Sequence, residues 1–154
     1  VSEADLWDRT RDGMGPRWHA QRHEDKHSKG IPDVSYGIAR RAEGWIELKF
    51  LKRYPIKVEE PFDFKLDHFI PEQRNWLTLR RRHGLGRVFL MCQFGDTLTA
   101  IWDWRNLEPL LGKAPIGKIE QAASGLWWHG PVDYEELSSI LADNRKIPCR
   151  YKGP

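Results

Sequence analysis

Gly30-Ile31-Pro32-Asp33 and, twelve residues on, Trp45-Ile46-Glu47-Leu48-Lys49 decide the reading of this chain. Side chains alternate along a strand, so Glu47 and Lys49 share one face while Ile46, Leu48 and Phe50 share the other. The apolar set reads as core, and the opposite face carries an acid beside an amine. Val34 to Ala39 alternates in the same way, with Asp33 in the parity class of Ser35 and Gly37. A hairpin turn at Ala42-Glu43-Gly44 would pair the two strands and bring Asp33 next to Glu47. Two carboxylates converging on one point suit a hard divalent cation, and the carbonyl of Leu48 could add an oxygen. Lys49 would then sit beside a metal-bound water, an apparatus suited to phosphodiester hydrolysis.

Glu-x-Lys by itself has little specificity, because short motifs recur by chance. A second copy, Glu24-Asp25-Lys26, lies in a polar stretch and reads as solvated surface. The copy at Glu47 is distinguished by its apolar flanks and by the preceding Pro32-Asp33 pair. A surface ion pair between Glu47 and Lys49 is the plain alternative.

Outward from this core, Ser2-Glu3-Ala4-Asp5 opens a helix whose face continues through Leu6, Trp7 and Thr10 and which ends at Gly13, Gly15 and Pro16. Trp45 to Leu51 is a strand, and Tyr54 to Phe69 is a long loop with Pro55 and Pro61. Pro71 opens a second helix that stops at Gly84. Arg87 to Phe94 and Leu98 to Trp102 are strands joined at Gly95-Asp96. A short helix over Asn106 to Leu111, a loop-rich stretch from Gly112 to Pro131 with a strand at Leu126-Trp127-Trp128, and a last helix capped by Asp133 complete the chain. The order predicts a three-layer α/β domain with a central mixed sheet flanked by helices.

On the second helix, Gln73 shares its face with Trp76 and Leu77, which must pack on the sheet. A glutamine so placed needs a hydrogen-bond partner, either a site group or nearby backbone. Arg80 falls near the same face. Arg74 and Arg81 fall together on a more exposed one, where DNA-backbone contact and a solvated basic surface are equal readings. Lys52 follows the Glu-x-Lys strand. Glu3, on an apolar helical face, either helps to hold the metal or favours the helix N-terminus through its dipole. His19, His23 and His27 recur every four residues, a spacing that would hold zinc on a helix. The charged content up to Gly30 instead favours an irregular exposed segment, with the histidines at the mouth of the Asp33–Glu47 site and His19, Arg22 or Lys29 able to touch phosphate.

The pattern Gly-Ile-Pro-Asp, Trp-Ile-Glu-Leu-Lys and Pro71-Glu72-Gln73-x-x-Trp76-Leu77 resembles the PD-(D/E)xK nuclease superfamily, most of all the VRR-type nucleases and Holliday-junction-resolvase-like relatives. The resemblance covers about residues 2–94, and the extension over about 103–154 matches no motif. It implies a restriction-endonuclease-like fold and Mg²⁺- or Mn²⁺-dependent DNA cleavage that leaves a 5′-phosphate. Asp33 and Glu47 would be metal ligands, Lys49 the catalytic lysine, Gln73 the glutamine of the following helix and Glu3 the acid of the first helix. Arg74, Arg80, Arg81, Lys52 and Lys29 are the candidate DNA contacts. A homodimer is compatible with the resemblance. A non-catalytic nucleic-acid-binding or assembly protein and an RNA-cleaving nuclease are the rival functions.

The composition is consistent with this reading. The 154 residues suffice for one domain, read here as residues 1–154. With 40% hydrophobic and 31% charged residues the chain is not of the disordered class. Its longest apolar run, Val88 to Cys92, falls far short of the roughly 20 residues of a membrane span. Two cysteines, Cys92 and Cys149, make neither a disulfide framework nor a zinc ribbon, so a reducing, cytoplasmic setting is expected. The net charge is only +3, but Arg80-Arg81-Arg82 is a local basic cluster, and eight tryptophans are available to stack or pack.

Overall fold

The computed structural model describes residues 2–24, 30–39, 41–64, 69–84, 87–96, 98–123 and 128–142. It is a three-layer α/β structure built on one mixed sheet. The strands are β1 (His19–Arg22), β2 (Val34–Ile38), β3 (Ala42–Leu51), β4 (Val88–Phe94), β5 (Leu98–Asp103) and β6 (Trp128–His129). They lie side by side in chain order. Every neighbouring pair is antiparallel except β3 and β4, which run parallel. A parallel pair needs a long crossover, and here it contains the helix α2 (Pro71–His83).

Strand alternation divides the core in two. Ile46, Leu48, Phe89, Met91 and Ile101 point toward α1 (Glu3–Met14) and α5 (Tyr134–Ala142), meeting Leu6, Trp7, Leu137 and Ile140. Leu90, Cys92, Ala100 and Trp102 point the other way, toward Leu77 of α2, Trp104 and Leu107 of α3 (Trp104–Leu107) and Ile119 of α4 (Ile116–Gln121). Glu47 and Lys49 belong to this second face. All seven residues of β4 are buried, the pattern of a strand covered on both sides.

The helix ends follow their residues. The Asp5 N–H donates to Ser2 Oγ at the start of α1 (3.2 Å), and the Glu136 N–H donates to Asp133 Oδ1 at the start of α5 (3.1 Å). Pro71 occupies the first turn of α2, where its missing N–H costs nothing, and the Gly84 N–H closes the helix on the Arg80 carbonyl. Gly30 has a φ of +101°, and a Cβ there would stand 2.6 Å from the Glu72 carbonyl oxygen. Glycine is therefore required where the segment leading to Asp33 crosses the start of α2.

Four expectations change. His19–Arg22 is a strand at the sheet edge, so His19 and His23 do not stack on a helical face; His27 and Lys29 lie outside the described residues. The hairpin turn falls between Ile38 and Ala42, where the Arg41 N–H donates to the Ile38 carbonyl and Ala39 takes a φ of 41°. Ala42, Glu43 and Gly44 are already strand, because Gly44 pairs with Tyr36 and extends β3. The Gly112–Pro131 stretch contains α4, and the short helix after β5 begins at Trp104 instead of Asn106. Trp128 is a strand residue as expected, while Leu126 and Trp127 lie outside the described residues.

Candidate active site

β2 and β3 pair with Val34 opposite Ile46 and Ser35 opposite Trp45, so the next position sets Asp33 against Glu47. The Leu48 N–H donates to Asp33 Oδ2 at 2.8 Å, which ties the aspartate to β3. After burial, the Asp33 charge is the next cause that raises the Glu47 pKa. The strand register thus converts two acids fourteen residues apart in sequence into a facing pair.

Lys49 Nζ lies 3.1 Å from Glu47 Oε1, and the two residues are 3% and 1% exposed. Gln73 completes the arrangement from the first turn of α2. Its Nε2 donates to Glu47 Oε1 (3.1 Å), and its Oε1 accepts from Lys49 Nζ (3.5 Å) and from the Ile70 N–H (3.2 Å). Both readings of Gln73, partner to the site and partner to local backbone, therefore hold at once. The Ile70 bond fixes the amide at the helix start, so the other end of the side chain is aimed at Glu47. Lys49 Nζ also stands 5.2 Å from the centre of the Phe69 ring, a cation–π contact that the sequence pattern did not suggest.

The electrostatics of this cluster are those of a buried acid. Burial is the main cause that pushes the Glu47 carboxyl well above the usual carboxylate range; Asp33 adds to the rise and Lys49 opposes it. Glu47 Oε1 holds two donors, while Oε2 is buried with no donor among the described residues; the Asp33 carboxyl lies close enough for a proton shared between the two acids to raise the Glu47 pKa further. A buried carboxylate oxygen without a donor is costly. Glu47 and Asp33 bring two carboxyl groups to one point, a set of oxygens that could hold a divalent cation. Asp33 and Gln73 are half-buried and form the outward edge of the cluster.

Glu3 lies in the first turn of α1, the helix packed on the opposite face of the sheet from Glu47. It is half-buried, and its charge acts on Cys92, the residue paired with Lys49 across β3 and β4. Burial pushes the Cys92 thiol well up, Lys49 pulls it down and Glu3 raises it. Cys92 is thus an inert core thiol. The carboxylates brought together here are those of Asp33 and Glu47; Leu48, whose N–H donates to Asp33, follows Glu47 in the chain. Among the described residues no three His, Cys, Asp or Glu side chains gather into a metal-binding group.

The basic residues of α2 divide by environment. Arg74 is half-buried, paired to Asp63 (2.6 Å) and packed 4.7 Å from the Phe69 ring centre, so it joins the long loop to α2 instead of lying on an exposed face. Arg81 is also half-buried, and its charge is felt by Asp103. Arg80 is exposed and stacks over Trp76 (4.8 Å) and Trp45 (5.7 Å). Lys52 is exposed just after β3. His23, one of the histidines expected at the mouth of the site, donates its backbone N–H to the Asp33 carbonyl (2.8 Å), and its ring packs on Trp45.

No helix among the described residues is long and apolar enough to cross a membrane. No family model matches the chain, and no curated protein matches it. Among solved structures it is similar to Hjc, a Holliday junction resolvase from the archaeal hyperthermophile Archaeoglobus fulgidus. The TM-score is 0.47 and the identity 17%, over 69% of this chain and 77% of that one.

Proposed function

We propose that this chain is a divalent-metal-dependent nuclease that hydrolyses DNA phosphodiester bonds. The observation that carries the reading is the hydrogen-bonded cluster of Glu47, Lys49 and Gln73, with the Asp33 carboxyl set against Glu47 and tied to β3 by the Leu48 N–H. Asp33 and Glu47 would hold Mg²⁺ or Mn²⁺, with the Leu48 carbonyl as a further oxygen donor. The cation would supply positive charge at the scissile phosphate and a more acidic water.

The chain's own residues account for the remainder. Lys49, held between Glu47 and Gln73, presents a compact donor that orients the attacking water or offsets charge on the phosphate. Gln73 keeps the amine in place through its link to the start of α2. In the reaction implied by the family resemblance, water oxygen bonds to phosphorus, the bond to O3′ breaks, and the products are a 5′-phosphate and a 3′-hydroxyl. Of the candidate contacts among the described residues, Lys52 and Arg80 are exposed and would meet neighbouring phosphates.

A second reading has one observation in its favour. Glu47 and Lys49 already neutralise each other in an almost fully covered pair. A protein that keeps the fold for binding or assembly could retain such a pair for stability alone. The deciding experiment is a cleavage assay on duplex, single-stranded, flap and four-way-junction DNA and on RNA, with Mg²⁺, Mn²⁺ or chelator. Metal-dependent cleavage of DNA that is lost on Asp33→Asn supports the nuclease. DNA binding with no cleavage under any of these conditions establishes the binder.

A further inference from the structure

The register of β1, β2 and β3 lays out three cross-strand rows on the face that carries Glu47. His19, Gly37 and Glu43 form the first row, and Gln21, Ser35 and Trp45 the second. Beyond them, the His23 N–H donates to the Asp33 carbonyl, and Asp33 faces Glu47. The third row is the candidate active site. The first two floor a groove of about 440 Å³, walled by Arg80 and Gly84 at the end of α2 and by Arg87. That volume lies within the roughly 300–1,000 Å³ of small-ligand sites. Successive rows are two residues apart along each strand, about 7 Å, so the groove begins one row from the carboxylates.

We infer that this groove holds an unpaired nucleobase adjacent to the phosphodiester at the Asp33–Glu47 site, which makes an unpaired nucleotide the preferred feature of the substrate. The inference rests on the proposed nuclease reading for the position of the phosphate. Its chemical basis is the lining. Trp45 is packed by His23 (5.2 Å between ring centres) from the side of the site and meets Trp76 edge-on (4.9 Å). The indole is therefore fixed before any ligand arrives, and its remaining surface lines the groove. The Arg80 guanidinium, stacked on both indoles, offers a second flat cationic surface. Unpaired bases stack on such aromatic and guanidinium planes, and a paired base has its faces already occupied.

The floor provides hydrogen-bonding groups that a base edge can use. Ser35 Oγ is held by His23 Nε2 at 2.8 Å, and Gln21 beside it is exposed and carries both a donor and an acceptor. His19 and Gln21 of β1 are exposed on this face. Gly37 leaves space at the centre of the first row. A Cβ built there meets nothing closer than 4.0 Å, and its backbone is ordinary strand. A larger side chain at Gly37 would therefore fill the groove without straining β2.

The test is binding by the full chain, in chelator, of a DNA duplex carrying one unpaired fluorescent adenine analogue, compared with the same duplex fully paired. The expected result is quenching of the analogue on binding and an affinity about tenfold or more above that for the paired duplex, the scale of one base–aromatic stack. Gly37→Leu should abolish the quenching and bring the affinity ratio to about one, with the thermal unfolding midpoint unchanged. Arg80→Ala, on an exposed residue, should reduce the ratio in the same direction. Quenching that persists in Gly37→Leu, equal affinity for the two DNAs, or no binding overturns the inference. Quenching without Mg²⁺-dependent cleavage leaves the groove standing and overturns the nuclease reading. Cleavage without quenching does the reverse.

Discussion

Lys49 Nζ and Glu47 Oε1 are 3.1 Å apart in a setting where neither residue is more than 3% exposed. A buried ion pair adds little net stability, but removal of one partner leaves the other charge stranded, at a cost of about 3–5 kcal/mol. Lys49→Met keeps the volume of the stem and removes the amine. It should lower stability by part of that amount, the rest being recovered as Glu47 takes up a proton. Denaturant unfolding at neutral pH measures this. Cleavage should fall by about two to four orders of magnitude while DNA affinity changes only a few-fold, because the amine acts in the transition state. Lys49→Arg should not restore the rate, since a planar fork cannot replace a point donor between Glu47 and Gln73. A proportional loss of affinity and rate would make Lys49 a phosphate contact instead.

The facing carboxyl groups of Asp33 and Glu47 give a prediction about metal that does not depend on cleavage. A cation that binds only the folded chain stabilises it by mass action, about 2.7 kcal/mol at a hundred times its dissociation constant. Mg²⁺ or Mn²⁺ should raise the unfolding midpoint of the wild-type chain. Asp33→Asn and Glu47→Gln should each remove that rise, and both should abolish cleavage. A rise of equal size in the two variants would show that the cation binds elsewhere.

The basic residues separate into two groups by a simple measurement. Lys52→Ala and Arg80→Ala should each weaken DNA binding across sequences and lower the salt slope by about one unit. Arg74→Ala should act on stability first, because its guanidinium is committed to Asp63 at 2.6 Å and to the Phe69 ring. Unfolding curves and salt titrations on the same three variants decide this. A reduced salt slope with unchanged stability in Arg74→Ala would return it to the DNA-contact set.

How far these features were legible in the sequence follows from the range of the interactions. The parity of Glu47 and Lys49 is local, and so are Pro71 at the start of α2 and Gly84 at its end. Asp33 opposite Glu47 required only the strand pairing, and it survived a displaced turn because Asp33 and Glu47 were aligned by the apolar alternation of both strands. β1 was hidden because His19-Ala20-Gln21-Arg22 sits at the sheet edge with no apolar face to mark it. α4 is a short helix that follows Pro115 and contains Gly117, which reads locally as loop. The Arg74–Asp63 pair and the Phe69 ring beneath Lys49 depend on how the long loop returns to α2, and residue periodicity carries no information on that.

Tyr36 couples the sheet to the last helix and, with the buried Cys92 thiol, should make the fold less stable at alkaline pH. It lies on the α1–α5 face of β2, and its hydroxyl donates to the Leu141 carbonyl at 2.8 Å. Burial holds its phenol well above the ordinary value near 10, with Arg87 opposing and Asp103 adding to the rise. The folded state therefore keeps this proton at pH values where the unfolded chain has begun to lose it. Stability from Tyr36 is fully present below about pH 10 and is lost as the pH rises above that. Tyr36→Phe removes one hydrogen bond and leaves the Leu141 carbonyl without that donor, so it should cost about 1 kcal/mol at pH 7. The variant should lose less stability than the wild type on moving from pH 9 to about pH 11. Parallel denaturant titrations across that interval test the assignment, and identical pH profiles would show that the alkaline loss comes from Cys92 or another group.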